Sequence, residues 1–74
     1  MWSRSDYLQA FEVLQQLETQ FRMLEPAMIE RDKESLERTF RTAYSRVYHY
    51  KNPEEILQAI DMISDVLEKY SRRN

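Results

Sequence analysis

Apolar side chains recur along the chain with the helical period of about 3.6 residues, in three successive stretches. The first stretch repeats every seven residues in two registers, formed by Tyr7, Leu14 and Phe21 and by Ala10, Leu17 and Leu24. Ser3, followed three residues later by Asp6, is typical of a capping box at a helix start. Because the residue before a proline avoids the helical region, Pro26 ends this helix. The pattern predicts a first helix over residues 4–24.

The second apolar stripe predicts a helix over residues 26–50. Its members are Ile29, Leu36, Phe40, Ala43, Val47 and Tyr50. Pro26 suits the first helical turn, since its missing N–H would have no partner there. An alternative start lies near Asp32, whose side chain is a favoured N-cap. Asp32 and Lys33 interrupt the stripe, so we expect the first turns to face water.

The third stretch opens on the clearest local signal, with Asn52 as N-cap, Pro53 in the first turn and Glu55 as capping carboxylate. One apolar face follows, made of Ile56, Ala59, Ile60, Ile63, Val66, Leu67 and Tyr70. These signals predict a helix over residues 53–70 and a tail over residues 71–74. Since the chain has no glycine, we expect its helices to end without the common glycine cap.

Together the three stripes predict an all-α, antiparallel three-helix bundle. A chain of 74 residues is too short for two cores, so we expect a single helical domain over residues 1–74. The absence of glycine also disfavours tight β-hairpins, whose turns need positive φ angles. The alternative architecture is a long helical hairpin that a second copy of the chain completes.

Small domains usually need a device beyond their core. There is no cysteine for a disulfide, and a single histidine cannot make a usual zinc site. A partner subunit remains, which predicts a homo-oligomer or a complex. No apolar run is long enough for a membrane span, and the start of the chain lacks the apolar core of a signal peptide, so we expect a cytoplasmic protein.

The sequence offers little for catalysis. His49 is the only residue that titrates near neutrality, and it lies at a predicted helix end. The acids Glu30, Asp32, Glu34 and Glu37 alternate with basic residues, which is typical of a solvated face rather than a metal site. Without glycine there is no phosphate-binding loop. We therefore expect no enzyme activity, no metal, no cofactor and no small-molecule substrate.

Several large apolar residues fall outside the core stripes, as expected for a protein-binding surface. They are Trp2, Leu8, Met23, Tyr44, Tyr48, Leu57 and Met62. The predicted contact residues are Trp2, Arg41, Tyr44, Tyr48 and Met62, in a non-enzymatic interaction module such as a small regulator, adaptor or co-chaperone. The alternative is a nucleic-acid-binding regulator that uses the basic and aromatic segment from Arg38 to Lys51. The net charge of −2 argues against that alternative.

Overall fold

The computed structural model describes residues 1–72 and confirms the all-α three-helix bundle. Helix α1 spans Arg4–Leu24, α2 spans Glu30–Tyr48 and α3 spans Pro53–Ser71, and each helix packs against the other two. A short 3-10 turn, Glu25–Ala27, joins α1 to α2. The observed bounds of α1 match the prediction, whereas α3 continues one residue further than predicted. Of the predicted tail, Ser71 is therefore helical, Arg72 caps the helix, and residues 73–74 lie outside the described residues.

The start of α1 forms the predicted capping box. The Asp6 N–H donates to Ser3 Oγ at 3.3 Å, and the Ser3 N–H donates to Asp6 Oδ2 at 2.8 Å. Two backbone donors at the helix end are thus satisfied by side chains. These local bonds fix the position at which α1 begins.

Both predicted starts of α2 are wrong. Pro26 belongs to the 3-10 turn, and Met28 is extended with φ −86° and ψ 144°, so α2 begins only at Glu30. The extended backbone allows the Met28 side chain to enter the core. Ile29, predicted for the core, is instead 52% exposed, and its backbone N–H donates to Tyr70 Oη at 3.3 Å. Tertiary contacts with α3 therefore decide where α2 begins.

Asp32 does not lie in a wet first turn as predicted. Its carboxylate is half-buried, accepts a 2.6 Å hydrogen bond from the Tyr70 hydroxyl and lies 3.4 Å from Lys69 Nζ. The Tyr70 hydrogen bond is the main cause that lowers the pKa of Asp32, and the neighbouring cations Lys69 and Arg31 add to it. This polar cluster ties the start of α2 to the end of α3.

We expect Tyr70→Phe to lower the Tm at about pH 7 by about 5 °C, because it removes a charge-assisted hydrogen bond. The decrease in Tm should be smaller in acid. A carboxylate whose pKa is lowered on folding stabilises the fold above its ordinary value of 3.8, and that contribution disappears as pH falls through the folded value. Thermal melts of both proteins at about pH 7 and about pH 2 test this. An equal Tm difference at the two pH values would exclude Asp32 as the acceptor that matters.

Helix α2 ends at Tyr48 rather than at residue 50, and as predicted it ends without a glycine. The Lys51 N–H donates to the Arg46 carbonyl at 2.9 Å and the Tyr50 N–H to the Val47 carbonyl at 3.2 Å, which is the Schellman pattern. Tyr50, with φ 56°, occupies the left-handed position where glycine is usual.

The predicted position of the α3 N-cap is confirmed at Asn52, but the predicted capping box does not form. Asn52 has φ 52°, and its side chain makes no capping hydrogen bond within residues 1–72. Glu55 pairs with Arg46 at 2.9 Å across the α2–α3 interface instead of closing a capping box. Pro53 does occupy the first turn as predicted. Asn52 and Tyr50 both have left-handed backbone angles, so Asn52 departs from the extended conformation that is usual for a capping side chain.

The core runs along the axis of the bundle. Its fully buried large side chains are Phe21, Leu14, Leu36, Ile56, Ile63 and Leu67. Antiparallel neighbours meet at matching levels: the Phe21 and Phe40 ring centroids lie 5.6 Å apart, and the Phe11 and Tyr44 centroids 5.7 Å apart. Tyr50, predicted for this core, is 53% exposed and lies at its edge. Within residues 1–72, no helix has the length and apolar character needed to cross a bilayer.

Candidate functional site

An open groove of about 620 Å³ lies between the start of α1 and the end of α2. It is lined by Arg4, Ser5, Tyr7, Leu8, Phe11, Val47, Tyr48 and Tyr50. Tyr7 and Val47 are buried and belong to the core, whereas Leu8 is 58% exposed and Tyr48 is 79% exposed. Arg4 is charged and the other lining residues are neutral. We call this site the α1–α2 groove.

Tyr50 forms one wall of the α1–α2 groove from a strained backbone position. Its ring packs edge-on against Tyr7, with centroids 5.2 Å apart and an interplanar angle of 87°. Arg4 donates a hydrogen bond to the Tyr50 side chain, which raises the pKa of Arg4. A left-handed, non-glycine residue stores about 1–2 kcal/mol, and such strain is concentrated at functional sites. At this left-handed position Tyr50 supplies a ring that packs against Tyr7, a contact that glycine could not make.

We expect Tyr50→Gly to change the free energy of unfolding by no more than about 1 kcal/mol, because relief of the backbone strain offsets the lost ring contact. Tyr48→Gly is the matched control, since Tyr48 is the last helical residue of α2 and lies two positions earlier. There glycine should cost up to about 1 kcal/mol relative to a good helix former. Urea denaturation of both variants measures the difference. Tyr50→Gly losing as much stability as Tyr7→Ala would show that the ring is a core element.

The structure places Arg41, Tyr44 and Tyr48, three of the predicted contact residues, on the same side of the bundle. Arg41 and Tyr44 line a shallow depression of about 280 Å³ that continues the α1–α2 side toward the end of α1. Tyr44 is half-buried, and its hydroxyl donates to Glu18 at 2.9 Å. Burial first, and then this bond and the Glu18 charge, raise the pKa of Tyr44 to about 12. A partner can therefore reach only the exposed part of the Tyr44 ring, because its hydroxyl is already bonded to Glu18.

Neither of the other two predicted contact residues lines the α1–α2 groove itself. Trp2 is half-buried and packs edge-on against Tyr7, with ring centroids 5.1 Å apart. Met62 is 41% exposed in the groove between α2 and α3, where Thr39 Oγ1 lies 3.7 Å from its sulfur. The five residues therefore do not form one surface. Leu8, which is outside the core stripe in the sequence, lines the α1–α2 groove from α1, as Tyr48 does from α2.

In the segment from Arg38 to Lys51, the alternative nucleic-acid site, fewer cations and aromatic rings are available for binding than the sequence indicates. Arg46 Nη2 pairs with Glu55 at 2.9 Å, and the Tyr44 ring packs between Phe11 and Phe40. Base stacking and phosphate binding need such groups unengaged. As for metals, residues 1–72 bring together no group of three or more acidic or histidine side chains that could hold an ion.

Comparison with known proteins yields no relative from which a function could be transferred. No protein family, curated protein or solved structure matches the chain. The geometry and chemistry of the α1–α2 groove are therefore the basis for a functional hypothesis.

Proposed function

We propose that this chain is a non-enzymatic protein–protein interaction module, of the kind that serves as a small regulator, adaptor or co-chaperone. It binds its partner through the α1–α2 groove. The single observation that carries the proposal is the position of Leu8 and Tyr48. Both are large, apolar and mostly exposed, and they stand on opposite sides of a groove whose floor is the core itself.

The shape of the groove suits an apolar side chain presented by a helix. Binding pockets of about 300–1,000 Å³ accept ligands or anchor side chains, and the α1–α2 groove falls within that range. Two antiparallel helices form a channel in which a third helix can place residues spaced by one turn. Tyrosine and arginine, present here as Tyr48, Tyr50 and Arg4, are enriched at binding hot spots.

Site-specific photo-crosslinking tests the proposal. The photoreactive p-benzoyl-phenylalanine replaces Tyr48 in one protein and Leu57, which is 49% exposed on α3, in the control. Both are produced in the protein's own cells and irradiated. We expect a discrete protein adduct from position 48, none from position 57, and loss of the position-48 adduct when Leu8→Glu is added. Adducts of equal yield from both positions, or adducts only with nucleic acid, would contradict the proposal.

A further inference from the structure

We propose that the α1–α2 groove binds an acidic amphipathic helix of another protein, which places an apolar side chain in the groove and a carboxylate against Arg4. This inference rests on the proposed function and names the chemistry of the partner at the same groove. Three features of this end of the bundle support it: an adjoining second groove, the aromatic rings that line both grooves, and a shared arginine that has no acidic partner.

A second groove of about 570 Å³ adjoins the α1–α2 groove at the start of α1. It is lined by Met1, Trp2, Arg4, Tyr7, Tyr50, Asn52 and Pro53. Arg4, Tyr7 and Tyr50 line both grooves, so the two grooves meet at these side chains. We call the combined surface the extended groove. One bound segment can therefore place a side chain on each side of Tyr50.

The extended groove is rich in aromatic rings. The chain has three phenylalanines, one tryptophan and five tyrosines, and five of these nine residues line the extended groove. The Tyr7 ring packs edge-on against both Trp2 and Tyr50, with centroids 5.1 Å and 5.2 Å apart. Rings held in this way offer a large apolar surface at little further cost in side-chain entropy, as at binding hot spots. The extended groove is therefore suited to apolar side chains.

Arg4 is the only charged side chain that lines the extended groove. The chain has thirteen acidic residues, all within residues 1–72, and none of them lines this surface. Among the described residues, no carboxylate forms an ion pair with Arg4, and the nearby Asp6 is bonded to Ser3. The hydrogen bond from Arg4 to Tyr50 uses only part of the donor capacity of the guanidinium and holds it where the grooves meet. An exposed, oriented cation beside apolar rings selects a carboxylate.

The positions of Arg4 and Leu8 set the spacing of the partner's residues. The two lie one turn apart on α1, about 6 Å along its axis. A helix that lies along the groove presents side chains at the same spacing, so its carboxylate is three or four residues from its apolar anchor. A nucleic acid fits less well, because its backbone needs a row of cations and this surface has one charged side chain.

Selection from a peptide library tests the charge of the partner. Amphipathic helical peptides are displayed on phage, with glutamate, glutamine or lysine at each position beside the apolar face. The library is selected on the wild-type chain and, separately, on Arg4→Glu, since glutamate suits the first turn of a helix. We expect the wild type to enrich peptides with glutamate one turn from the apolar anchor. Arg4→Glu should enrich lysine at that position.

Fluorescence anisotropy with the most enriched wild-type peptide measures the contribution of the pair. We expect Arg4→Glu to bind this peptide about fivefold more weakly, since attraction is replaced by repulsion at an exposed pair. Exchanging the glutamate of the peptide for lysine should recover the affinity for Arg4→Glu. Arg38→Glu is the matched control, because Arg38 lines the α2–α3 groove and its reversal should leave binding unchanged. Circular dichroism verifies that each variant is folded.

Leu8→Gln separates this inference from the proposed function, because it removes an apolar side chain of the groove without adding charge. Peptides that lose binding to Leu8→Gln but show no preference for glutamate would overturn the acidic partner and support the groove as a protein-binding surface. Peptides that bind Leu8→Gln as well as the wild type would overturn both. A library without any enriched peptide would overturn the acidic helix, while a crosslink from position 48 to a protein would still support the proposed function. Displacement of the peptide by single-stranded DNA would overturn the inference in favour of a nucleic acid.

Discussion

Phe21→Ala is expected to lower the free energy of unfolding by about 3–5 kcal/mol. Phe21 is fully buried, its ring lies 5.6 Å from that of Phe40, and the Arg22 guanidinium packs 4.9 Å from its centroid. Removing a buried phenylalanine costs about 3–5 kcal/mol, through lost transfer free energy and the cavity left behind. A domain of this size has a total stability of roughly 4–11 kcal/mol. The substitution therefore removes a large part of the stability.

The cavity from Phe21→Ala cannot easily collapse, because Phe21 is fully buried within the core. Urea denaturation followed by circular dichroism measures the loss, with Met23→Ala as the matched control. Met23 lies two residues further along α1 and is 77% exposed, so its truncation should change stability by no more than about 0.5 kcal/mol. A Phe21→Ala protein as stable as Met23→Ala would contradict the assignment of Phe21 to the centre of the core.

Leu8→Glu is expected to weaken association through the α1–α2 groove by at least about 30-fold, because it places a charge in the desolvated centre of the contact. Leu8 is 58% exposed in the isolated chain, so the fold itself should lose no more than about 0.5 kcal/mol. This variant should therefore lose most of its binding while it keeps its stability. The yield of the crosslink from position 48 reports the association, and a thermal melt gives the stability.

Leu57→Glu provides the control for Leu8→Glu. It makes the same chemical change on an exposed leucine, at 49% exposure, but on α3 outside the groove. We expect its association to match that of the wild type. If both variants weaken association equally, general charge repulsion explains the loss and the groove does not.

The elements that could be predicted from the sequence are those fixed by local signals. Helix α1 has its predicted bounds because Ser3 and Asp6 cap it and Pro26 follows its end. Helix α2 was predicted too long at both ends for different reasons. Its start depends on Met28 entering the core and on Tyr70, which lies about forty residues away along the chain. No local pattern contains that information.

The end of α2 and part of the candidate site were missed together. Tyr50 fits the apolar stripe of α2, so periodicity assigned it to the core. Its left-handed backbone and its packing on Tyr7 come from tertiary contact with α1. Tyr48 was predicted correctly as exposed, because it falls outside the stripe. Leu8 also falls outside its apolar stripe. Only the fold shows that Leu8 and Tyr48 line the same groove, one from α1 and the other from α2.

Hydroxyl-radical footprinting in the cells that make the protein tests most directly whether the α1–α2 groove is a binding surface. In the purified, dilute chain the exposed side chains of Leu8, Tyr48, Met23 and Leu57 should all be oxidised. In cells, we predict protection of Leu8 and Tyr48, with Met23 and Leu57 reacting as in the dilute chain. Reactivity of Leu8 and Tyr48 that is unchanged in cells, or protection confined to Met23 and Leu57, would contradict the account.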